Sequence, residues 1–287
     1  MKRLILHADD LGADESRNAG IFEAIEAGAV TAASILVNGP AFQDCIRRIA
    51  VLDGQRVSFG VHLNLTEGRP LCPGLAIITD ADGCFYGKQE GHRRLMNPKD
   101  TTLENEIRRE FAAQIQALHA TGVRIDHLDG HQHVHIFPAA IDTAVQVARE
   151  FGIPWMRMPE EPHPLNDMGP DDRSLRIEAE KFSRLAAAAR IRIQGGAVKT
   201  TDHFRGLYLK GRLTGAHLER TLQALPPGLT ELMVHPGRTP AGPPQGLFSA
   251  FSNRDREEEL DVLTHVSFRR MLEKYQVRLT PFPEVGP

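Results

Sequence analysis

The chain has 287 residues, 41% hydrophobic and 25% charged, with a formal net charge of −3. That composition is ordinary for a soluble globular protein; it carries no basic footprint for nucleic acid and suits an uncharged or small polar substrate. Three scattered cysteines, Cys45, Cys72 and Cys84, form no C-x-x-C pair, which argues against a disulfide framework or a thiolate zinc site.

Leu4 to Ala8 reads as a buried first strand ending at Asp9-Asp10, two carboxylates that point to opposite sides of an extended chain. The apolar run before them is too short for a signal-peptide core, and no run approaches the ~20 residues of a membrane helix. A reducing, cytoplasmic setting is the expectation. A helix from Asp14 to Ala27, capped at Ser16, precedes a strand at Val30 to Val37 and a helix from Ala41 to Leu52. A third strand, Val57 to Leu65, carries His62. Residues 69–100 have no periodicity and many prolines and glycines, so they read as a functional excursion. Thr101 or Thr102 caps a strong helix to about His119.

The stretch Ile125 to His135 reads I-D-H-L-D-G-H-Q-H-V-H. As a strand it sets His127, Asp129, His131, His133 and His135 on one face, although Gly130 and Pro138 predict fraying partway along. A helix follows from Pro138 to Phe151, then a strand at Pro154 to Met158 and a polar loop from Glu160 to Asp172. Ser174 to Ile193 is helical, Lys199 to Phe204 a short strand, and Thr214 to Leu225 a helix. Leu229 to Val234 is a strand ending at His235-Pro236-Gly237. A Pro- and Gly-rich loop, one last helix from Arg254 to Lys274 and a strand at Val277 to Thr280 complete the chain.

Strand and helix alternate about eight times with no linker-like break over 1–287, which predicts one α/β domain with a mostly parallel sheet and helices outside. Asp9, Asp10, His62, Asp129, His131 and His235 all fall at or near strand C-termini. At least four strands contribute, which favours an irregular, TIM-barrel-like (β/α) barrel; a doubly wound sheet is the alternative.

One carboxylate and two imidazoles, Asp10, His62 and His131, leave open positions on a divalent ion for water and substrate. Zinc, magnesium, manganese and non-haem iron all remain candidates from ligand type alone.

The motifs H-A-D-D-L-G at 7–12, N-A-G-I at 18–21 and G-A-V-T at 28–31 resemble the opening of YdjC-like carbohydrate deacetylases. The likeness continues in G-V-H-L-N-L-T-E-G at 60–68, D-G-H-Q-H-V-H at 129–135 with Pro138, and H-P-G at 235–237. The family includes chitooligosaccharide deacetylases and deacetylases associated with hopanoid biosynthesis, on an irregular (β/α) barrel. The resemblance implies Asp10, His62 and His131 as metal ligands, Asp9 as catalytic base and His235 as general acid. It favours magnesium over zinc or manganese as the single divalent ion, and a small N-acetylated sugar or oligosaccharide as substrate. Asp129, His133 and His135 are expected to support the ligands, and Arg157 to orient Asp9 or bind sugar hydroxyls. Trp155 is expected in the core; Asn38 and Glu67 lie near strand ends and stay outside the catalytic set. A homodimer is the default assembly. The rival readings are a metal-dependent phosphoesterase or amidohydrolase on a similar barrel, and a non-catalytic sugar-binding barrel.

Overall fold

The computed structural model describes residues 1–52, 56–97, 101–161, 163–164, 173–193, 196, 198–242, 248 and 251–283. Its strands are β1 Lys2–Leu11, β2 Ala32–Ile35, β3 Ser58–Leu63, β4 His127–Gly130, β5 Trp155–Met156, β6 His203–Arg205, β7 Gly228–Val234 and β8 Val277–Leu279. All pair in parallel in the order β5-β4-β3-β2-β1-β7-β6, with β8 also on β1.

The curled sheet gives the α/β barrel architecture. β1 shares one edge between two partners: Lys2 to Leu4 pair with β8, and His7 to Leu11 with β2. β7 covers its other edge. The seam between β5 and β6 is bridged at Lys199, whose N–H donates to the Pro154 carbonyl and whose own carbonyl accepts from Met156 N–H, both at 2.8 Å. The barrel is therefore irregular at that seam.

The helices are α1 Glu15–Glu26, α2 Phe42–Ala50, α3 Lys88–Leu95, α4 Thr101–His119, α5 Ile141–Glu150, α6 Arg173–Ile193, α7 Gly215–Ala224, α8 Arg254–Thr264 and α9 Val266–Lys274. α1 is capped by Asp14, whose side chain accepts from Arg17 N–H at 2.8 Å, rather than by Ser16. The expected single last helix breaks at His265, which ends α8 and caps α9 by accepting from Ser267 N–H. The main apolar core lies between sheet and helices. On α4 the buried stripe includes Glu106, Glu110 and Gln114, one turn apart. Glu106 accepts from the backbone N–H groups of Ala76, Ile77 and Ile78, and Glu110 from those of Leu71 and Cys72. The aperiodic excursion is thus tied to a helix through its backbone, which leaves no side-chain period to read; it also contains α3.

Strand alternation layers the barrel interior. Ile5, Ala32, Trp155 and Leu229 close the N-terminal end around Phe282, which follows β8. Burying a phenylalanine there is worth roughly 1.5–3 kcal/mol. Trp155 is therefore a core residue, with its indole N–H donating to the Pro283 carbonyl at 2.9 Å. Further along the strands the interior turns polar, beginning with His7, two residues past Ile5, and His127, level with Trp155, whose rings meet edge to face. Gly60 makes room: a Cβ there would sit 2.3 Å from the His127 ring.

Candidate active site

The site begins with an irregularity in β1. Its register against β2 shifts between Ala8 and Leu11, and Asp10 takes a left-handed φ of 67°. A bulge of this kind re-aims a side chain. It overrides the alternation expected of two adjacent residues: Asp9 and Asp10 both line one cleft, each 3% exposed.

Asp10, His62 and His131 converge there. Asp10 Oδ1 lies 2.7 Å from His131 Nδ1 and 3.4 Å from His62 Nε2. All three residues present ligand atoms within 4.8 Å of one another. Burial opposes the charge on Asp10, but His131 and Arg17 outweigh it and hold the carboxyl well below the usual range. Arg17, unremarked in the sequence, contacts Asp10 Oδ2 at 3.0 Å and donates to Ser252 Oγ at 2.8 Å. His62 has its other nitrogen, Nδ1, 2.7 Å from Asp129 Oδ1 and 2.9 Å from Ser34 Oγ. Burial disfavours a charged His62, yet Asp129 and Asp10 raise its pKa to about 10.

The histidine-rich stretch does not continue as a strand. β4 ends at Gly130, and the chain coils tightly over His131 to Ile136, with left-handed Gln132 and His133. The shared face therefore ends with Asp129. His133 turns its ring edge onto Phe182, and its Nδ1 has no hydrogen-bond partner among the described residues. His135 Nε2 lies 2.9 Å from the Arg157 carbonyl, so it secures the end of β5 rather than His131. Asp129 sits against His62.

Beneath the trio lies a second polar layer. Arg157, 1% exposed, grips Asp9 with two hydrogen bonds of 2.7 and 2.6 Å. Its Nε donates to Glu231 Oε1 at 2.6 Å, and its Nη2 lies 3.0 Å from Asp129 Oδ2. Arg157 is thus committed to carboxylates and turned away from the cleft, so the expectation that it binds sugar hydroxyls fails. His7 Nδ1 comes within 2.7 Å of Glu231 Oε1, and His127 Nε2 within 3.2 Å of His7 Nε2. Glu231 was not singled out in the sequence, and His7 and His127 appeared there only within motifs, with no role in the site. The signal was present as His7/Asp9 and His127/Asp129, two polar pairs spaced by two on otherwise apolar strands.

The trio opens into a cavity of about 250 Å³, at the small end for ligand sites. Phe182, Leu207, Phe248 and Phe251 supply apolar wall, while Lys88 stands 2.7 Å from Glu178. His235 lines it too, with Nε2 4.0 Å from Asp9 Oδ2 and its backbone N–H donating to Glu259 at 2.7 Å. Burial, then the neighbouring Arg256, hold its imidazole well below the ordinary range. The turn after it is fixed by close approach: a Cβ on Gly20 would sit 2.4 Å from Gly237 Cα.

The donor set fits a divalent cation. One carboxylate oxygen and two imidazole nitrogens converge, and on each ring the other nitrogen meets a carboxylate. Two further acidic clusters, His7/Asp129/Glu231 and Asp9/His62/Asp129, do not offer a comparable site, because Arg157 already neutralises their carboxylates.

Fold and site together define an α/β-barrel enzyme with a cluster of acidic residues and histidines able to hold a metal. The profile described as YdjC-like protein matches residues 3–274, and the chain belongs to that family. It is 34% identical to a carbohydrate deacetylase of Mus musculus over 96% of this chain and 93% of that protein. It is 27% identical to a carbohydrate deacetylase of Brevibacillus brevis, covering 99% of this chain and 100% of that one. Among solved structures, one from Enterococcus faecalis V583, named for cellobiose-phosphate cleavage, superposes with a TM-score of 0.74 at 23% identity. It covers 98% of this chain and 97% of its own, and supports the fold.

Proposed function

We propose that this chain is a metal-dependent hydrolase that removes the N-acetyl group from an acetylated amino sugar, releasing acetate and a free amine. The observation that carries the reading is the convergence of Asp10, His62 and His131 beside Asp9 and His235, in a chain whose relatives are named carbohydrate deacetylases. Asp10, His62 and His131 would hold one divalent ion. Magnesium follows from the family resemblance, with zinc and manganese as competitors suited to two imidazoles. When bound, such an ion lowers the pKa of water and polarises an amide carbonyl.

Asp9 then takes the proton of the attacking water, a role worth ~10²–10⁴-fold when well positioned. Arg157 fixes both carboxylate oxygens while each keeps a second lone pair for that proton. His235 enters turnover neutral and becomes an acid only once a proton reaches it. In this scheme Asp9 Oδ2, 4.0 Å away, hands it over, and His235 passes it to the departing nitrogen. Amines leave poorly as anions, so the proton must arrive before the C–N bond breaks.

The multi-ion phosphoesterase reading is disfavoured because Arg157 occupies the centre of both remaining acidic clusters. The test is acetate release from N-acetylglucosamine oligomers, diacetylchitobiose and N-acetylglucosaminyl lipids, with metal per chain measured in parallel. Chelation should abolish release and one divalent ion per chain restore it; turnover indifferent to chelators would sink the metal mechanism. Size-exclusion chromatography tests the proposed homodimer.

A further inference from the structure

We infer that Glu67 is a positioning residue for the metal centre, acting through His131 as Asp129 acts through His62. The inference rests on the metal reading above. A neutral imidazole has one nitrogen that accepts and one that carries a proton, and a nitrogen facing a cation must be the unprotonated one. On His131 the nitrogen facing Asp10 is Nδ1, and Nε2 lies 3.1 Å from Glu67 Oε2. On His62 the arrangement is reversed: Nε2 faces Asp10, and Nδ1 meets Asp129 Oδ1 at 2.7 Å. The two rings therefore need opposite tautomers, and each has its own carboxylate to select one. Among the described residues, no hydrogen-bond partner of the His131 ring other than Glu67 favours a proton on Nε2 over Nδ1.

Glu67 is held for this task from several directions. Its Oε1 accepts from Gln132 Nε2 at 2.6 Å, and Gln132 adopts a left-handed φ of 52° beside His131. Its backbone carbonyl accepts from Asn64 Nδ2 at 2.7 Å, while its N–H donates to Asn64 Oδ1 at 3.1 Å. Gln114 of α4 clamps Asn64 through both its N–H and its carbonyl, at 2.9 and 2.7 Å. A helix outside the barrel and the turns after β3 and β4 thus converge on one carboxylate. A loop that needed only anchoring would be served by the backbone bonds, without a carboxylate directed onto a ligand imidazole.

The test compares wild type, Glu67→Ala and Glu67→Gln by titrating the metal-stripped chains with cobalt(II) and recording affinity and visible absorption bands. Removing such a partner costs about 10–100-fold in metal affinity. Glu67→Ala is expected to show that loss with shifted cobalt bands. Glu67→Gln, whose amide oxygen still accepts from Nε2–H, should recover part of the affinity. Circular dichroism and the melting temperature of the metal-free chains check that the variants fold. Two outcomes overturn the inference: Glu67→Ala matching wild type in affinity and bands, or a loss that Glu67→Gln leaves unrepaired while the metal-free chain melts early. A wild type that binds no cobalt would instead fail the metal reading itself.

Discussion

The mouth of the barrel and the layer beneath it are built from the same groups, carboxylates and imidazoles, yet they handle charge in opposite ways. At the mouth, Asp10 gives one oxygen to Arg17 and turns the other to two imidazoles whose far nitrogens are occupied by Asp129 and Glu67. Below, Arg157 stands among Asp9, Asp129 and Glu231 and supplies a permanent cation. The carboxyl of Asp129 is opposed by burial but held well below its ordinary range by Arg157 and His62. The lower layer is a closed ion-pair network; in the upper one Arg17 engages only Asp10 Oδ2, which leaves Oδ1 and the two imidazoles converging on one point. Ligand-like residues are thus a poor guide to a metal site unless the neighbouring cation is also counted.

The largest effects should come from crossing this division. His131→Ala is expected to lose both metal and acetate release, whereas Asp9→Asn should keep the metal and lose turnover by ~10²–10⁴-fold, measured by metal analysis and steady-state kinetics. If Asp9→Asn deacetylates at near wild-type rate, the base belongs elsewhere. Arg157→Ala strips the lower layer of its cation and should destabilise the chain by about 3–5 kcal/mol in denaturant unfolding, because three buried carboxylates lose their partner. Arg157→Lys should rescue this poorly, since an ammonium cannot grip Asp9 with two parallel bonds.

Glu161 sharpens the comparison from outside it. It is a 2% exposed carboxylate that accepts from the N–H groups of Gly206 and Leu207, with Arg205 only at 3.9 Å. Burial dominates, with Arg205 a weaker opposing influence, and its pKa rises from 4.5 to about 7. The native state therefore binds this proton more tightly than the unfolded chain. Its stabilising effect is full below about pH 4.5 and is lost as pH rises to about 7. Glu161→Gln should raise the melting temperature more at pH 8 than at pH 5, with up to about 3 kcal/mol at stake. An equal shift at both pH values would mean the carboxyl is not perturbed. The smallest effect is expected at His133, whose ring packs on Phe182. Asparagine tolerates its left-handed backbone, so His133→Asn should leave metal content intact and cost about 1 kcal/mol in unfolding.

The alternation of elements was legible in the chain because each strand is an apolar run closed by glycine, proline or a helix cap. The convergence of Asp10, His62 and His131 was legible because three motifs at strand ends supplied one carboxylate and two imidazoles. The bulge at Asp9-Asp10 was not, since nothing in two adjacent aspartates announces a left-handed φ. Gly130 did announce fraying of the histidine face, but not the tight coil with left-handed Gln132 and His133 that follows it. Glu231 escaped for another reason: a single acidic residue in an apolar strand shows its partner only when Arg157, far along the chain, arrives beside it. Glu67 was visible as a strand-end acid, but its direction depends on Asn64 and Gln114, an association between a loop and a helix that no local pattern encodes.

Phe282 seals the interior from the N-terminal end of the strands, and β1 draws its neighbours from β7 and β8 as well as β2. During synthesis the first strand therefore leaves the ribosome long before most of its hydrogen-bond partners exist. Such late, long-range pairing slows folding and leaves an unpaired strand edge exposed meanwhile. The barrel can therefore close only once β7, β8 and Phe282 have emerged, not when the first strands do. A nascent chain stalled before Phe282 should be far more open to proteolysis than the released protein.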